Sequence, residues 1–480
     1  MTFEELFNDK EPKDVLRKFY DISQIPRVPG SMKPISDYMV RWAEGLGLEV
    51  FRDETNNVLV RKPASPGRED RPTIILQSHM DMVCEKEPGS AHDFENDPLR
   101  LRVVEGDKVM ATGTTLGADD GIGAAQTMAI LEDDSLAHPA IEALFTVDEE
   151  TDMKGAWNFD CKLLKGKTMV NLDSCARMVA GSGELEYKMR FDKGTETVAP
   201  DSRVMKVRIG GLMGGHTGQN SMLERGNAIM MVNRILLELE KQMPYQLIYM
   251  QGGRGLSSAY ARDASATIAF APEYEAKVHE ICDSQLAVFR YELEHRDPGV
   301  TLRLEEVLPE YDQAMDAKTA YRLRSLILLL PDGVFTRHRV YEGCMESTSN
   351  VGVVETEERE IYLTILIRSF MENRKFYLLD KVRRLCQLLD VRTELGYNIP
   401  HWEFCVSDRL MDLAAEVYGD DPVTVAQGTL ETGIFCQHMP DTEIIALACP
   451  YYNAHSPEEY FLISELADSQ KKLKELLAKF

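Results

Sequence analysis

The sequence predicts an α/β fold, in which a domain with a mixed sheet flanked by helices is interrupted by an inserted α+β domain. Over the first 185 residues, amphipathic helical stretches alternate with short β-branched and aliphatic runs, the order expected of a sheet covered by helices. From Glu186 the pattern changes to longer alternating strands and long helices, and this pattern ends near Thr393. We therefore expect residues 1–185 and 394–480 to form one domain and residues 186–393 another.

The elements of the first domain follow from local sequence signals. Pro12 and Pro34 stand in the first turns of two amphipathic helices, where the N–H that proline lacks is not needed. Runs of β-branched and aliphatic residues, separated by turn residues, indicate the strands. The predicted helices cover residues 12–24, 34–46 and 122–131, and the predicted strands cover 49–52, 57–61, 73–76, 141–147 and 168–173.

The second domain shows the sequence periods of both strands and helices. Alternation of apolar and polar residues predicts half-buried strands, and apolar residues three or four apart predict amphipathic helices. The predicted strands cover residues 204–209, 264–270, 301–306 and 361–367, and the predicted helices cover 227–242, 274–294 and 317–330.

The composition excludes several classes of partner. The 480 residues include 54 Lys and Arg against 79 Asp and Glu, which gives a formal net charge of −25. Such a chain is repelled by nucleic acid and by anionic membranes, so we expect neither as a partner. No apolar run reaches the ~20 residues of a membrane span, the N-terminal residues lack a signal-peptide pattern, and the nine cysteines include no C-x-x-C pair. We expect reduced thiols and a cytoplasmic location.

The first candidate site lies at the end of the strand over residues 73–76. His79 and Asp81 follow this strand two residues apart, and alternate residues of an extended chain point to the same side. Asp81 can therefore fix one ring nitrogen of His79 and leave the other for a metal. The alternative interpretation is a strand end with one polar pair.

Acids or a histidine occur in four further segments, each in a loop or at the end of a predicted strand. Asp119 lies in a glycine-flanked loop before a helix, Glu149 and Glu150 follow one strand, Asp173 ends another, and His455 lies in a distant loop. Ligand crevices of open α/β sheets form at the carboxyl ends of strands. Taken alone, each acid is explained as a solvated charge on the surface. The placement of all five segments at strand ends or in loops favours one shared binding site. The same placement favours an inserted domain, because the chain must return to the first domain for His455 to reach the other four segments.

Carboxylates and imidazoles suit two divalent metal ions, with zinc as the first expectation and manganese or cobalt as alternatives. Two ions need a shared acid, and Asp119 is a candidate because its small-residue loop permits a close approach. Glu149 and Glu150 are adjacent and cannot both point the same way in extended chain. One can bind metal while its neighbour acts as general base on a bridging water.

Several stretches of the chain resemble the aminoacyl-histidine dipeptidase family, also called Xaa-His dipeptidase or peptidase D, within the clan of two-metal aminopeptidases and carboxypeptidases. The most specific match is Thr-Thr-Leu-Gly-Ala-Asp-Asp-Gly, which begins at Thr114. The resemblance implies a zinc-peptidase-like catalytic domain, a lid or dimerisation domain over residues 186–393, and a homodimer. The matching stretches are residues 77–86, 114–123, 146–150 with 155–156, 171–174, 214–218, 349–352, 366–369 and 454–457.

The resemblance also implies a set of ligands. His79 and Asp173 would hold one metal, Glu150 and His455 would hold the other, and Asp119 would bridge the two.

The remaining implied roles concern the reaction. Asp81 would orient His79, and Glu149 would move a proton from the bridging water to the leaving amine. His216 would help to stabilise the oxyanion, in related enzymes from the partner subunit. Arg368 is the candidate for pairing with the substrate carboxylate, since its bidentate fork suits that task; an arginine without a ligand is the alternative.

Two more residues, Ser258 and Asn350, are expected to contact substrate, and Ser258 departs from the family pattern. It falls where the family has a substrate-contacting asparagine, and a hydroxyl cannot donate as an amide does. Cys175 replaces a glutamate, and Gln427 replaces a histidine. We expect these departures to change the side-chain preference and to leave water activation intact.

The leading hypothesis is therefore metal-dependent hydrolysis of dipeptides, of Xaa-His, β-Ala-His or a related type, with a lid that closes about hinges near residues 186 and 393. An N-acyl amino acid deacylase or amidase of the same clan is the second hypothesis. A non-catalytic relative is the third, and the intact ligands with an intact Glu149 argue against it.

Overall fold

The computed structural model describes residues 1–253, 255, 257–307, 311–419, 421–447 and 450–480. Two compact units emerge: unit 1 comprises Met1–Gly181, Trp402–Ala426 and Leu430–Phe480, and unit 2 comprises Ser182–His401 and Gln427–Thr429. The boundaries expected from the sequence lay after residues 185 and 393. Unit 2 extends to His401 because its last strand pairs with its first strand along residues 392–399.

Unit 1 contains a mixed sheet with helices, so the predicted α/β class is confirmed. In the described residues its main sheet has eight strands in the order β1-β2-β6-β3-β7-β21-β8-β20. The strands of unit 1 are β1 (Glu49–Arg52), β2 (Val58–Lys62), β3 (Ile74–His79), β4 (Leu101–Val104), β5 (Lys108–Ala111), β6 (Ile141–Thr146), β7 (Thr168–Asn171), β8 (Met178–Gly181), β20 (Thr424–Ala426), β21 (Glu443–Ala446), β22 (Tyr451–Tyr452) and β23 (Tyr460–Leu462). Its helices are α1 (Phe3–Phe7), α2 (Lys13–Ser23), α3 (Lys33–Gly45), α4 (Ala118–Glu132), α5 (Lys154–Asn158), α10 (Asp408–Tyr418), α11 (Thr432–His438) and α12 (Ile463–Lys479).

The centre of the main sheet is parallel. Strand β3 pairs in parallel with β6 and β7, and β7 pairs in parallel with β21. All residues of β3, β6 and β7 are buried, as expected of parallel strands covered on both faces. The carboxyl ends of β3, β6 and β7 consequently meet at one edge of the sheet.

A smaller sheet of unit 1 positions the C-terminal loop. Its order is β22-β23-β5-β4, with β23 antiparallel to β5. Residues 453–459 connect β22 to β23, so the loop that contains His455 is fixed at both of its ends.

Unit 2 contains the predicted mixture of helices and mainly antiparallel strands. Its main sheet runs β14-β11-β13-β12-β17-β18-β9-β19, with β16 beside β17, and a large apolar cluster packs between strands and helices. The strands are β9 (Gly183–Asp192), β10 (Thr195–Thr197), β11 (Arg203–Gly210), β12 (Gln246–Gly252), β13 (Ala264–Phe270), β14 (Thr301–Glu306), β15 (Gln313–Met315), β16 (Gly333–Arg337), β17 (Met345–Thr356), β18 (Glu360–Ser369) and β19 (Arg392–Ile399). The helices are α6 (Ala228–Gln242), α7 (Glu275–Glu292), α8 (Ala317–Leu329) and α9 (Glu372–Leu388).

Two further expectations concern the chain as a whole. None of the helices in the described residues combines the length and the apolar character that a membrane crossing requires. None of the eight cysteines in the part of the chain that the structure describes forms a disulfide.

Candidate metal centre

The candidate site of unit 1 begins where three parallel strands end. His79 is the last residue of β3 and lies opposite Thr146, the last residue of β6. The loops that come after β3, β6 and β7 carry Asp81, the Glu149–Glu150 pair and Asp173, as the strand pattern predicted.

The five predicted metal ligands come together in unit 1. In each of three overlapping groups, the candidate ligand atoms all lie within 4.8 Å of one another. The groups are His79 with Asp119 and Asp173, Asp119 with Glu150 and His455, and His79 with Glu149 and Glu150.

Asp119 lies between the two histidines. Its Oδ1 lies 3.3 Å from Nε2 of His79, and its Oδ2 lies 3.3 Å from Nε2 of His455. Nε2 of His455 is also 3.1 Å from Oε2 of Glu150. One carboxylate thus faces both halves of the cluster with different oxygens, which is the geometry required of a shared ligand.

Asp81 is fully buried and contacts two parts of the cluster. Its Oδ1 lies 3.4 Å from Nδ1 of His79, on the side of the ring away from Asp119. Its two oxygens also accept hydrogen bonds from the backbone N–H groups of Glu149, at 3.1 Å, and Glu150, at 3.0 Å. The same carboxylate therefore lies beside the imidazole of His79 and accepts the backbone N–H groups of the Glu pair.

Two further buried acids, which the sequence pattern does not single out, lie near the cluster. Asp120 accepts hydrogen bonds from the backbone N–H of His79 and of Gly123, both at 3.2 Å. Glu431 accepts from Nε2 of Gln77 at 2.7 Å and from the hydroxyl of Thr146 at 2.6 Å. The available signals were the doubled Asp at 119–120 and the acid at the start of α11, but neither predicts its partner.

Crowded acids dominate the electrostatics of the cluster. Burial raises the pKa values of Glu149, Glu150 and Asp173, and repulsion from neighbouring carboxylates adds to the effect. Burial disfavours the charged form of His455, but its contacts with Asp119 and Glu150 outweigh this and raise its pKa to about 11. The cluster therefore favours positive charge at its centre.

The residues fit divalent metal ions. The donors are carboxylate oxygens and imidazole nitrogens, which zinc, manganese and cobalt all accept. Oε1 of Glu150 is buried and accepts no hydrogen bond from the described residues, which leaves a buried acceptor available for a cation.

Two of the predicted substrate-side residues contact each other in unit 2. Arg368 is buried and forms an ion pair with Glu184, and its Nε donates to the hydroxyl of Thr217 at 3.2 Å. Its Nη2 lies 3.2 Å from Nε2 of His216. A substrate carboxylate at Arg368 would have to share a guanidinium that Glu184 already contacts.

Asn350 and Ser258 also lie in unit 2, where the first supports the loop of the second. The buried amide of Asn350 donates to the backbone oxygens of Ser257, at 2.9 Å, and Ala259, at 3.1 Å. The backbone oxygen of Ser258 accepts from Thr217 N–H at 2.8 Å. Substrate contact by the Asn350 amide would need one of its hydrogen bonds to be replaced. Arg254 and Leu256 of the same loop lie outside the described residues.

Gln427 and Cys175, the other two departures from the family pattern, lie in different units. Gln427 belongs to unit 2, where it accepts from the hydroxyl of Ser221 at 2.7 Å and donates to the oxygen of Gly343 at 3.3 Å. Cys175 belongs to unit 1, where the residue is exposed and its Sγ lies 3.4 Å from the backbone oxygen of Tyr451.

Known proteins share this fold and much of this sequence. The sequence profile of peptidase family M20/M25/M40 matches residues 75–479. The cytosol non-specific dipeptidase of Escherichia coli (strain K12) is 30% identical over 474 residues, which cover 97% of each chain. The crystal structure of aminoacylhistidine dipeptidase from Vibrio alginolyticus matches with a TM-score of 0.85 and 29% identity over 100% of this chain and 98% of that one. Aminopeptidase PepT from Bacillus cereus shares the fold, with a TM-score of 0.57 and 17% identity over 98% of this chain and 99% of that one.

Proposed function

The chain belongs to peptidase family M20/M25/M40, and on that premise we propose that it is a metal-dependent dipeptidase. Support comes from relatives that match over nearly the whole chain and are named as dipeptidases, the Escherichia coli protein and the Vibrio alginolyticus protein. The similarity therefore extends over both units and is not confined to a shared domain.

The observation that carries the proposal is the position of Asp119. A carboxylate whose two oxygens face Nε2 of His79 and Nε2 of His455, each at 3.3 Å, suits a ligand shared by two ions. We assign His79 and Asp173 to one ion and Glu150 and His455 to the other. Zinc is the first choice of metal, with manganese and cobalt as alternatives.

The chain's own chemistry centres on Glu149. Bound metal ions would polarise the scissile carbonyl and lower the pKa of the attacking water. The Glu149 carboxylate takes the proton from that water and delivers it to the leaving amine. Burial raises the pKa of Glu149, which suits a carboxylate that gains and loses a proton in each cycle. Asp81 fixes the backbone from which Glu149 projects.

The substrate is a dipeptide, of Xaa-His, β-Ala-His or a related type. The two relatives differ on this point, since one is named for aminoacylhistidine and the other as non-specific. Ser258, Cys175 and Gln427 depart from the family pattern, which favours a side-chain preference that differs from that of the histidine-specific enzymes. The roles of His216 on the oxyanion, and of Arg368 and Asn350 on substrate, are carried over from the resemblance.

Location and assembly complete the proposal. The name of the Escherichia coli relative supports a cytoplasmic location. A homodimer is expected from the family resemblance. Sedimentation velocity should give twice the chain mass of 54.3 kDa, and a species of 54.3 kDa would contradict the dimer.

The experiment that tests the function is a substrate panel. The purified protein is stripped of metal, reconstituted separately with Zn²⁺, Mn²⁺ and Co²⁺, and given Xaa-His, β-Ala-His and other dipeptides beside the matching N-acetyl amino acids. We expect at least one metal form to hydrolyse dipeptides much faster than N-acetyl amino acids. A reversed preference would identify a deacylase, and no hydrolysis by any metal form would contradict an enzymatic role.

A further inference from the structure

The side chain of Glu459 is buried at 2% exposure and accepts four backbone hydrogen bonds from one short segment. Its Oε2 accepts from Leu116 N–H at 2.8 Å and from Gly117 N–H at 2.9 Å. Its Oε1 accepts from Ala118 N–H at 2.7 Å and from Asp119 N–H at 3.2 Å. The last of these donors belongs to the residue that faces both histidines of the metal centre.

These four N–H groups need an acceptor from elsewhere in the chain because of the backbone conformation at the start of helix α4. The segment enters helix α4 through Gly117, whose φ of +64° is left-handed, and Asp119 has a non-helical ψ of 111°. The first N–H groups of a helix have no acceptor within it, and leaving such groups buried without acceptors costs about 1–3 kcal/mol each. One buried carboxylate with two oxygens is suited to satisfying all four.

The guanidinium of the buried Arg27 holds the same segment through a backbone oxygen. Nη2 of Arg27 donates to the backbone oxygen of Gly117 at 2.6 Å, and its Nη1 lies 3.2 Å from the backbone oxygens of Met80 and Asp81. A side chain in place of Gly117 would collide with this guanidinium. The segment before Asp119 is therefore fixed both to the strand end that carries His79 and to Glu459.

Glu459 also belongs to the loop that carries His455. His455 has a left-handed φ of +64°, and the loop is closed by hydrogen bonds from the hydroxyl of Ser456 to the oxygen of Asn453, at 2.8 Å, and from Glu459 N–H to the oxygen of Ser456, at 3.0 Å. One short loop thus carries both a proposed ligand and the carboxylate that holds the segment of the shared ligand.

We propose that Glu459 is a positioning residue of the metal centre, which sets the backbone of residues 116–119 against the His455 loop so that the two oxygens of Asp119 face His79 and His455. The inference rests on the proposed function, because it takes Asp119 as the shared metal ligand. Groups that orient metal ligands typically change metal affinity about 10- to 100-fold when they are altered.

The test compares Glu459→Gln with Glu458→Gln in the full-length protein. Gln keeps the size of the side chain but turns one acceptor into a donor that faces backbone N–H groups. Glu458 is the neighbouring residue and is exposed, so its variant controls for the loss of one negative charge in the same loop. Both variants and the wild-type chain are stripped of metal and titrated with Co²⁺, whose visible spectrum reports ligand geometry, and kcat and KM are measured for a dipeptide.

We expect Glu459→Gln to weaken Co²⁺ binding by at least about tenfold, to alter the Co²⁺ spectrum and to lower kcat more than it raises KM. Glu458→Gln should match the wild type in all these respects. A folded Glu459→Gln variant with wild-type Co²⁺ affinity and spectrum would overturn the inference. If the variant does not fold, hydrogen exchange on the wild-type holoenzyme decides: slow exchange of the amides of residues 116–119 is expected, and fast exchange would overturn it.

The outcomes separate this inference from the proposed function. If the wild-type chain hydrolyses no dipeptide but Glu459→Gln alters the Co²⁺ spectrum, the positioning role stands and the dipeptidase assignment fails. If the wild-type chain is an active dipeptidase and Glu459→Gln resembles it in spectrum and affinity, the positioning role fails and the dipeptidase assignment stands.

Discussion

The side chain of Asp81 holds the backbone of Glu149, with Oδ1 accepting the Glu149 N–H at 3.1 Å while lying 3.4 Å from Nδ1 of His79. The turn that carries Glu149 begins at Asp148, whose φ of +59° is left-handed. Left-handed backbone is costly for a residue other than glycine and persists where the surroundings fix it. Asp81 is part of those surroundings, so one carboxylate contacts both a proposed metal ligand and the backbone of the proposed base.

Replacing Asp81 by Asn should therefore impair metal binding and turnover together. The amide keeps one acceptor but places a donor against a backbone N–H, and loss of such an orienting group typically costs about 10- to 100-fold in metal affinity or activity. Metal titration and kcat of Asp81→Asn measure both effects. Asp152→Asn, at an exposed position of the same turn, should leave them unchanged; equal effects of the two variants would contradict the role of Asp81.

Asp119→Ala should remove metal binding rather than weaken it. The methyl group offers no oxygen to either half of the cluster, and His79 and His455 lose the carboxylate that faces both. We expect only a small fraction of the wild-type metal content and no measurable hydrolysis, as measured by elemental analysis after dialysis and by dipeptide turnover. The exposed Asp70 gives the control variant Asp70→Ala. Full metal loading of Asp119→Ala would refute the shared-ligand assignment.

Glu431 should make the metal-free protein less stable as the pH rises. Burial raises the pKa of Glu431 from 4.5 to about 7, so between these values the folded chain keeps a proton that the unfolded chain has lost. The resulting stability is fully present below pH 4.5 and is lost as the pH rises through about 7. From about pH 5 to about pH 8 the loss should be about 2 kcal/mol, at about 1.36 kcal/mol per unit of pKa shift.

Glu431→Gln removes this titration while keeping an acceptor for Gln77 and Thr146. Urea unfolding in the presence of a chelator, at about pH 5 and about pH 8, gives the free energy of unfolding of both proteins. The difference between wild type and variant should shift by about 2 kcal/mol against the wild type at the higher pH. A difference that is the same at both pH values would contradict the raised pKa.

The sequence predicts most of the proposed metal cluster because three of its segments come directly after recognisable strands. Apolar runs lead into His79, Glu149 and Asp173, and parallel pairing of three such runs brings these residues to one edge of the sheet. His455 is different, since its loop shows no strand pattern that would place it. The joint pattern of acids and histidines marked it as a candidate, and the assignment of all five ligands to two ions came from the family resemblance.

The features of the site and the fold that the sequence does not predict depend on contacts between polar groups far apart in the chain. The partners of Glu459 are backbone N–H groups more than 300 positions away, which carry no side-chain signal. Helix α4 begins at Ala118 rather than at residue 122, and its first turn includes Asp119 and Asp120, whose backbone departs from helical geometry. Strand β17 is buried almost throughout although Glu, Ser, Thr and Asn make up more than half of Met345–Thr356, so it lacks an apolar period.

The central claim is that Glu149 moves the proton in a site whose metals are held by other residues. The most direct test measures metal content and dipeptide turnover of Glu149→Gln beside Glu150→Gln. We expect Glu149→Gln to keep the wild-type metal content while kcat falls about 10²- to 10⁴-fold, the usual contribution of a general base, and we expect Glu150→Gln to lose metal. Wild-type turnover by Glu149→Gln, or loss of its metal with retention by Glu150→Gln, would contradict the account.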